Sequence, residues 1–405
     1  MDPNRTIAAL PWFYFLNGML FWQATWFLYF QGTLSGAEAI ALYAVYDIAT
    51  TLIEVPSGVF SDRIGRRFTL ALSALCGALG CLALATGDSF AVFALGQALI
   101  GASTAFRSGT DTSLLYESLD AAGRTQEVEA QEIRVQRFSF TGFALSAVIG
   151  GALAQIAPTL PFYATALAFL AALALTLRLS EPPRSRTTTA RADLRALTGA
   201  LTHPVLAWLF ALGVLMYGFS HLPFVFGQPF IRETLDTIGL AGEAPLVSGA
   251  ITAVMMAISV AVSFVALPLR IRLGLPLTLL AAFALQLALN ATLSLTTATL
   301  AIAVLALRMV PDALANPFIL ARIQPLLPAQ TRATYLSLKS LAGKLVFAAT
   351  LMAASTTAES TGLLPTADLQ RILGWYTLAG IACLATLAIL ARPLPLERGP
   401  EAPEQ

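Results

Sequence analysis

The chain has 405 residues, a mean hydropathy of +0.73, 57% hydrophobic and 12% charged side chains, and a net charge of +1 from 24 basic and 23 acidic residues. A soluble surface ordinarily carries about 25% charge, so a water-soluble fold is excluded and a polytopic membrane protein is expected. The basic residues are scattered among polar breaks rather than gathered on one face, so no nucleic-acid partner is expected.

Apolar runs of about 20 residues can cross a bilayer. Polar or Pro/Gly breaks place twelve such runs, at 10–31, 38–58, 67–86, 90–116, 131–156, 160–179, 204–231, 245–268, 275–295, 297–322, 332–357 and 370–391. Arg5 precedes the first run and no small-residue cleavage site follows it, so this run is expected to remain as a first span rather than act as a signal peptide. Cys76, Cys81 and Cys383 lie inside apolar runs with no His or carboxylate at ligand spacing. They read as small core residues, and no metal or cofactor is expected.

Lys and Arg accumulate in cytoplasmic loops. With the N-terminus inside, the cytoplasmic breaks hold Arg63, Arg66 and Arg67, then Arg124, Arg134 and Arg137, and later Arg270, Arg272, Arg322, Arg332 and Arg392. The opposite side keeps Arg232 and Arg371. Both termini are then cytoplasmic. The longest polar break, 180–203, reads as a cytoplasmic linker between a first half at 1–179 and a second half at 204–405, with a short surface helix around Asp193–Leu197.

The break after the second run is Gly-Val-Phe-Ser-Asp-Arg-Ile-Gly-Arg-Arg, Gly58 to Arg67, a polar hinge between spans. It resembles the G-x-x-x-D-R-x-G-R-R signature that major facilitator transporters carry between their second and third helices. The resemblance implies an all-α fold of twelve transmembrane helices in two six-helix bundles, with a substrate site between the halves. It also implies a cytoplasmic gate built from Gly58, Asp62, Arg63, Gly65, Arg66 and Arg67, with Glu54, Asp111 and Glu117 as acidic partners. Two further signatures of that superfamily are degraded. Gln97 stands where its fourth helix usually has an arginine, and its antiporter pattern survives only as Ser146-Ala-Val-Ile-Gly150-Gly151, whose glycines still let helices approach closely.

An ionisable group inside a span costs roughly 2.5–3.5 kcal/mol, so each is a functional candidate unless a partner explains it. Asp47 lies near the middle of the second run, and Glu54 follows seven residues later on the same helical face. Asp47 has the position a proton-coupling group needs, or else it hydrates a water-filled vestibule; Glu54, nearer the cytoplasmic end, is expected to reach Arg63 or Arg66. Arg107 and Asp111 stand one turn apart, and Arg308 and Asp312 repeat that pattern in the second half, with Pro311 between them breaking a backbone bond. Arg107 and Arg308 either neutralise their own aspartates or face the cavity to bind an anionic substrate. His221, mid-span in the seventh run, is a proton exchanger or an interhelical hydrogen-bond partner. Cavity walls in the superfamily come mainly from helices 1, 4, 7 and 10. The resemblance therefore implies a cavity lined by Asn17, Trp22, Gln23, Trp26, Gln97, Tyr217, Gln228 and Asn316, whose aromatic and amide character suits a large, mostly apolar solute.

There is no G-x-x-x-x-G-K-[ST] loop and no soluble portion large enough for a catalytic set, so neither ATP-driven pumping nor enzymatic activity is expected. The reading is a secondary transporter driven by a proton gradient, monomeric in the inner (plasma) membrane, with protons, lipid and a small-molecule substrate as partners. Its leading form is export of amphipathic small molecules such as drugs or metabolites. The alternatives are proton-coupled uptake of a nutrient or organic anion, and a non-transporting membrane receptor.

Overall fold

A bilayer interior offers backbone N–H and C=O groups no water, so a spanning chain satisfies them within helices. The computed structural model follows that rule. It describes residues 3–23, 26–31, 33–34, 36–181, 190–237, 244–295, 306–329, 331–355 and 366–397, apart from the side chains at 221–249, 351–369 and a few other positions. Among the described residues there is no strand.

The first apolar run is not one helix. α1 (Pro3–Gly18) ends in a turn, and the chain resumes as α2 (Trp26–Gln31). At this turn the Phe21 N–H leaves the helical ladder and donates to Thr165 Oγ1, 144 residues away, at 3.0 Å. α3 (Gly36–Ile64) and α4 (Arg66–Thr86) follow. The polar stretch expected to be a hinge is therefore helical except at Gly65, whose φ of +148° breaks the ladder in a region that favours glycine. The acid and arginines that mimic a loop in sequence are instead satisfied by one another across the break.

The fourth run is also divided, into α5 (Phe90–Arg107) and α6 (Thr110–Ala121), at Ser108–Gly109, where Gly109 has a φ of +71°. A 3₁₀ turn at Thr125–Glu127 leads into α7 (Val128–Ile156), then α8 (Leu160–Thr176), which carries Pro161 in its first turn, where a missing N–H costs no helical bond. α9 (Ala190–Thr202) covers the surface helix expected in the linker, and α10 (Pro204–Thr237) follows it at an angle of 78°. The remaining helices are α11 (Ala244–Leu273), α12 (Leu275–Leu295), α13 (Val310–Ile323), α14 (Arg332–Ser355) and α15 (Thr366–Ala391). Pro311 starts α13 instead of kinking its middle. Among the described residues six helices are long and apolar enough to cross a membrane, or seven if the bent α9–α10 pair is one span.

The chain packs as two compact units. The first holds residues 1–198, 245–257 and 327–341; the second holds 199–244, 258–326 and 342–405. The first unit's core gathers Phe30, Leu42, Phe93, Ile100, Phe162 and Phe169, and Trp22, Trp26 and Tyr29 pack against it. The Trp22 ring lies parallel to Phe162, and Tyr29 Oη donates to the Leu84 carbonyl at 2.7 Å. In the second unit Trp208 Nε1 donates to the Leu387 carbonyl at 3.0 Å, and Gln286 and Asn290 of α12 donate to carbonyls of α10 at Met216 and Phe219.

Each unit repeats one joint. Glu181 accepts the first N–H groups of α4, from Arg66 and Arg67 at 2.8 Å each, beside Gly65. Glu397 accepts the first N–H of α12, from Leu275, beside Gly274, and pairs with Arg270 at 3.1 Å. A carboxylate at a helix N-terminus satisfies orphan donors and complements the helix dipole. The Arg-x-x-x-Asp pattern recurs in the same way. Arg107 and Asp111 straddle the α5–α6 break, and Arg308 and Asp312 straddle the turn that opens α13.

Candidate functional site

The best-defined polar assembly lies in the first unit, where α3, α4, α6 and the N-terminus of α14 meet. Its centre is Arg66, which is 1% exposed although arginine is almost never buried without partners. A guanidinium has five N–H donors in a fixed fork, and here all five are used. Nε donates to Glu117 Oε2 at 3.3 Å, Nη1 to Ser61 Oγ at 3.1 Å and to Asp62, and Nη2 to Glu117 Oε1 at 2.7 Å and the Ala329 carbonyl at 2.8 Å.

Both carboxylates then reach α14. Asp62 accepts from the Ala333 N–H at 3.1 Å, the Thr334 N–H at 2.8 Å and the Thr334 hydroxyl, so it caps that helix. Glu117 also pairs with Arg332 Nη1 at 3.3 Å, while the Arg332 guanidinium lies 4.4 Å over the Tyr116 ring and donates to the Leu327 carbonyl at 2.8 Å. Two acids and two arginines balance, and every link crosses between helices or between a helix and a helix end. Gly58 explains itself here: a Cβ on it would stand 2.8 Å from Ser337 Oγ and 2.9 Å from the Thr334 Cα. Beside the α5–α6 break, Ser337 Oγ donates to the Ser108 carbonyl at 3.3 Å. Asn in place of Asp62 keeps the shape but can neither hold Arg66 by charge nor accept both N–H groups as strongly. An Asp62→Asn chain is expected to lose about 1–3 kcal/mol, read as a lower unfolding temperature in detergent.

Asp62, Arg66 and Glu117 come together, and Gly58 and Gly65 shape the crossing. Arg67 turns to the Leu177 carbonyl, and Arg63 is exposed. Glu54 is fully buried on α3, but all five Arg66 donors go elsewhere. Asp111 stands 4.0 Å from Arg107 and its Oδ1 accepts the Thr112 N–H, whereas Glu117 pairs with Arg66 of the signature. Asp47 lies on an exposed flank of α3 with Ile48 and Leu52. Asn17 is buried and donates to the Phe13 carbonyl of its own helix, Trp22 and Trp26 pack on the aromatic core, Gln97 is buried on α5, and Gln23 and Asn316 are half-buried. Tyr217 packs against Gly343 in the second unit, and Arg308 lies within the field of Asp312. The side chains of His221 and Gln228 lie outside the described residues. Sequence reasoning missed Arg332, Glu181 and Glu132; the first two were visible only as a basic residue at a helix start and an acid at a linker edge.

A family model described as Major Facilitator Superfamily matches residues 7–351. The chain belongs to that superfamily. It is a multi-pass membrane transporter and not an enzyme. Multidrug resistance protein 1 of Bacillus subtilis (strain 168) is 27% identical over 153 residues, a match spanning 38% of each chain. Among solved structures, a point mutant of the nucleoside transporter NupG aligns with a TM-score of 0.66 at 15% identity, covering 95% of this chain and 99% of that one. A bacterial homologue of the iron transporter ferroportin, in an outward-facing state, aligns at 0.67 and 15% over 96% and 98%. The human organic anion transporter MFSD10 (TETRAN) aligns at 0.66 and 14% over 96% and 98%. At such identities the solved structures show a shared fold.

Proposed function

We propose that this superfamily member is a proton-coupled secondary transporter that exports amphipathic small molecules by alternating access, with no cofactor beyond the proton gradient. The observation that carries the reading is the Asp62–Arg66–Glu117–Arg332 network. It ties α14 to α3, α4 and α6 through links that all break if α14 moves away, which is what a gate needs. In this reading it closes the cytoplasmic end, both termini are cytoplasmic, and the protein works as a monomer in the inner membrane. Twelve spans divide into halves at 1–179 and 204–405 joined by 180–203; the repeated Glu181 and Glu397 joints and the repeated Arg-x-x-x-Asp breaks support such a duplication. The partial match to a multidrug resistance protein supports efflux as the direction.

Asp47 exchanges the proton, with His221 as its partner in the second half. Purified chain in proteoliposomes under an imposed pH gradient tests this. An Asp47→Asn chain is expected to lose proton-driven accumulation while still binding solute, and uphill transport retained by that variant would overturn the assignment. One observation favours a second reading, uptake of an organic anion. Arg107 is one-third exposed and only loosely paired with Asp111, so its guanidinium retains donors for an anion. The direction of flux separates the two, and no flux for any solute points to a receptor.

A further inference from the structure

Behind the gate lies a second polar cluster that the network does not use. Glu132, in the second turn of α7, is 2% exposed, and its Oε1 accepts no hydrogen bond. Asp111 of α6 is 7% exposed. The Tyr14 hydroxyl of α1 is buried beside Asp111 and closes no hydrogen bond. The charges acting on Glu132 come from Asp111 and from Lys339 of α14; Arg107 at the end of α5 acts on Asp111 and Tyr14. On α7 itself, Gln136 stands one turn further along, and its Oε1 also lacks a donor. An unsatisfied carboxylate oxygen removed from water is costly, and two buried carboxylates whose charges act on one another are costlier still when both are charged.

We propose that Glu132 and Asp111 form a proton-binding pair that holds one proton, carried on Glu132. The proton cancels the like-charge repulsion and turns an acceptor that lacks a donor into a donor. Once the proton leaves, a carboxylate remains that is drawn to Lys339. That lysine lies on the helix whose N-terminus Asp62 caps, and Asp111 lies on the helix that carries Glu117. The pair and the gate therefore share α6 and α14. Losing the proton draws Lys339 of α14 toward Glu132 of α7, and gaining it releases that pull. This deepens the proton-coupled reading and rests on it for its biological sense, adding a second proton-holding group to Asp47.

Infrared difference spectroscopy of the purified full chain, between neutral and alkaline pH, tests the pair without substrate or flux. The wild type should show one protonated carboxyl at neutral pH that titrates away, and Glu132→Gln should lack it. Because Gln copies the neutral acid, that variant should unfold at the wild-type temperature at neutral pH. Two neighbours give opposite signs. Asp111→Asn should move the titration down by about one pH unit, a tenfold change in proton affinity, and Lys339→Gln should move it up. A merely structural Glu132 would show neither displacement. The proposal fails if Glu132→Gln keeps the titrating signal, if the two neighbours shift it in the same direction, or if exchanging sodium for choline at fixed pH abolishes it, which would mean a bound metal cation. Lack of proton-driven flux with the signal intact would sink the transport reading alone.

Discussion

An Arg66→Ala chain is expected to lose about 3–5 kcal/mol of stability, the range for removing one partner of a buried charge network. Arg66 is 1% exposed and uses every donor it has, so truncation leaves Asp62 and Glu117 buried without their shared cation and the Ala329 carbonyl without its donor. Arg332 can still pair with Glu117, but nothing replaces the bond to Asp62. Arg66→Lys should recover part of the loss and not all of it, because a lysine ammonium has three donors and no planar fork to grip a carboxylate along two edges. Thermal unfolding in detergent reads both variants. If Arg66→Ala melts with the wild type, the network is an ornament of the fold and the gate assigned to it has no energy behind it.

The Gly58–Arg67 signature was legible as chemistry and misleading as structure. Its acid and arginines read as a hinge because charged residues between apolar runs ordinarily mean a loop, yet they form helix up to Ile64. What makes that possible lies far along the chain: Arg66 meets the carbonyl of Ala329, 263 residues away, and Asp62 meets Thr334. No local pattern announces such partners. Glu117 was named from the same resemblance and does join the network, whereas Asp111, equally plausible by spacing, sits behind it. The difference is position on α6: the two acids are six residues apart, which at about 100° per residue sets them on different faces, and only packing decides which face meets the arginines. Asp47 reads as a buried acid because apolar residues surround it in sequence, but those neighbours form an exposed flank of α3. Glu132 was overlooked for the opposite reason. It stands among Gln131, Arg134 and Gln136 at the polar start of a run, where an acid looks solvated, and it is the packing of α1 and α6 against α7 that buries it.

That packing sets the second expected result. On α7, a Cβ at Gly142 would collide with the Phe15 carbonyl oxygen of α1, and one at Gly150 with the Phe21 carbonyl oxygen beyond it; on α1, Gly18 stands in the same relation to the Ser139 carbonyl. A side chain in the way could rotate aside, but these are backbone atoms, so any added carbon must push the two segments apart. Overpacking a helix contact costs about 1–3 kcal/mol and occasionally more, and a Gly142→Val chain is expected at or above the top of that range, with Gly142→Ala between it and the wild type. Gly199→Ala, where no atom lies within 4 Å of the added carbon, should change the unfolding temperature little and serves as the control. The position matters as much as the size. Phe15 follows Tyr14, so widening at Gly142 draws the Tyr14 hydroxyl away from Asp111 and should displace the carboxyl titration. The same substitution at Gly150, against Phe21, should destabilise the chain without touching it. Equal displacement by both would mean that α1 moves as one rigid body and that its packing on α7, rather than the local placement of Tyr14, tunes the proton-binding pair.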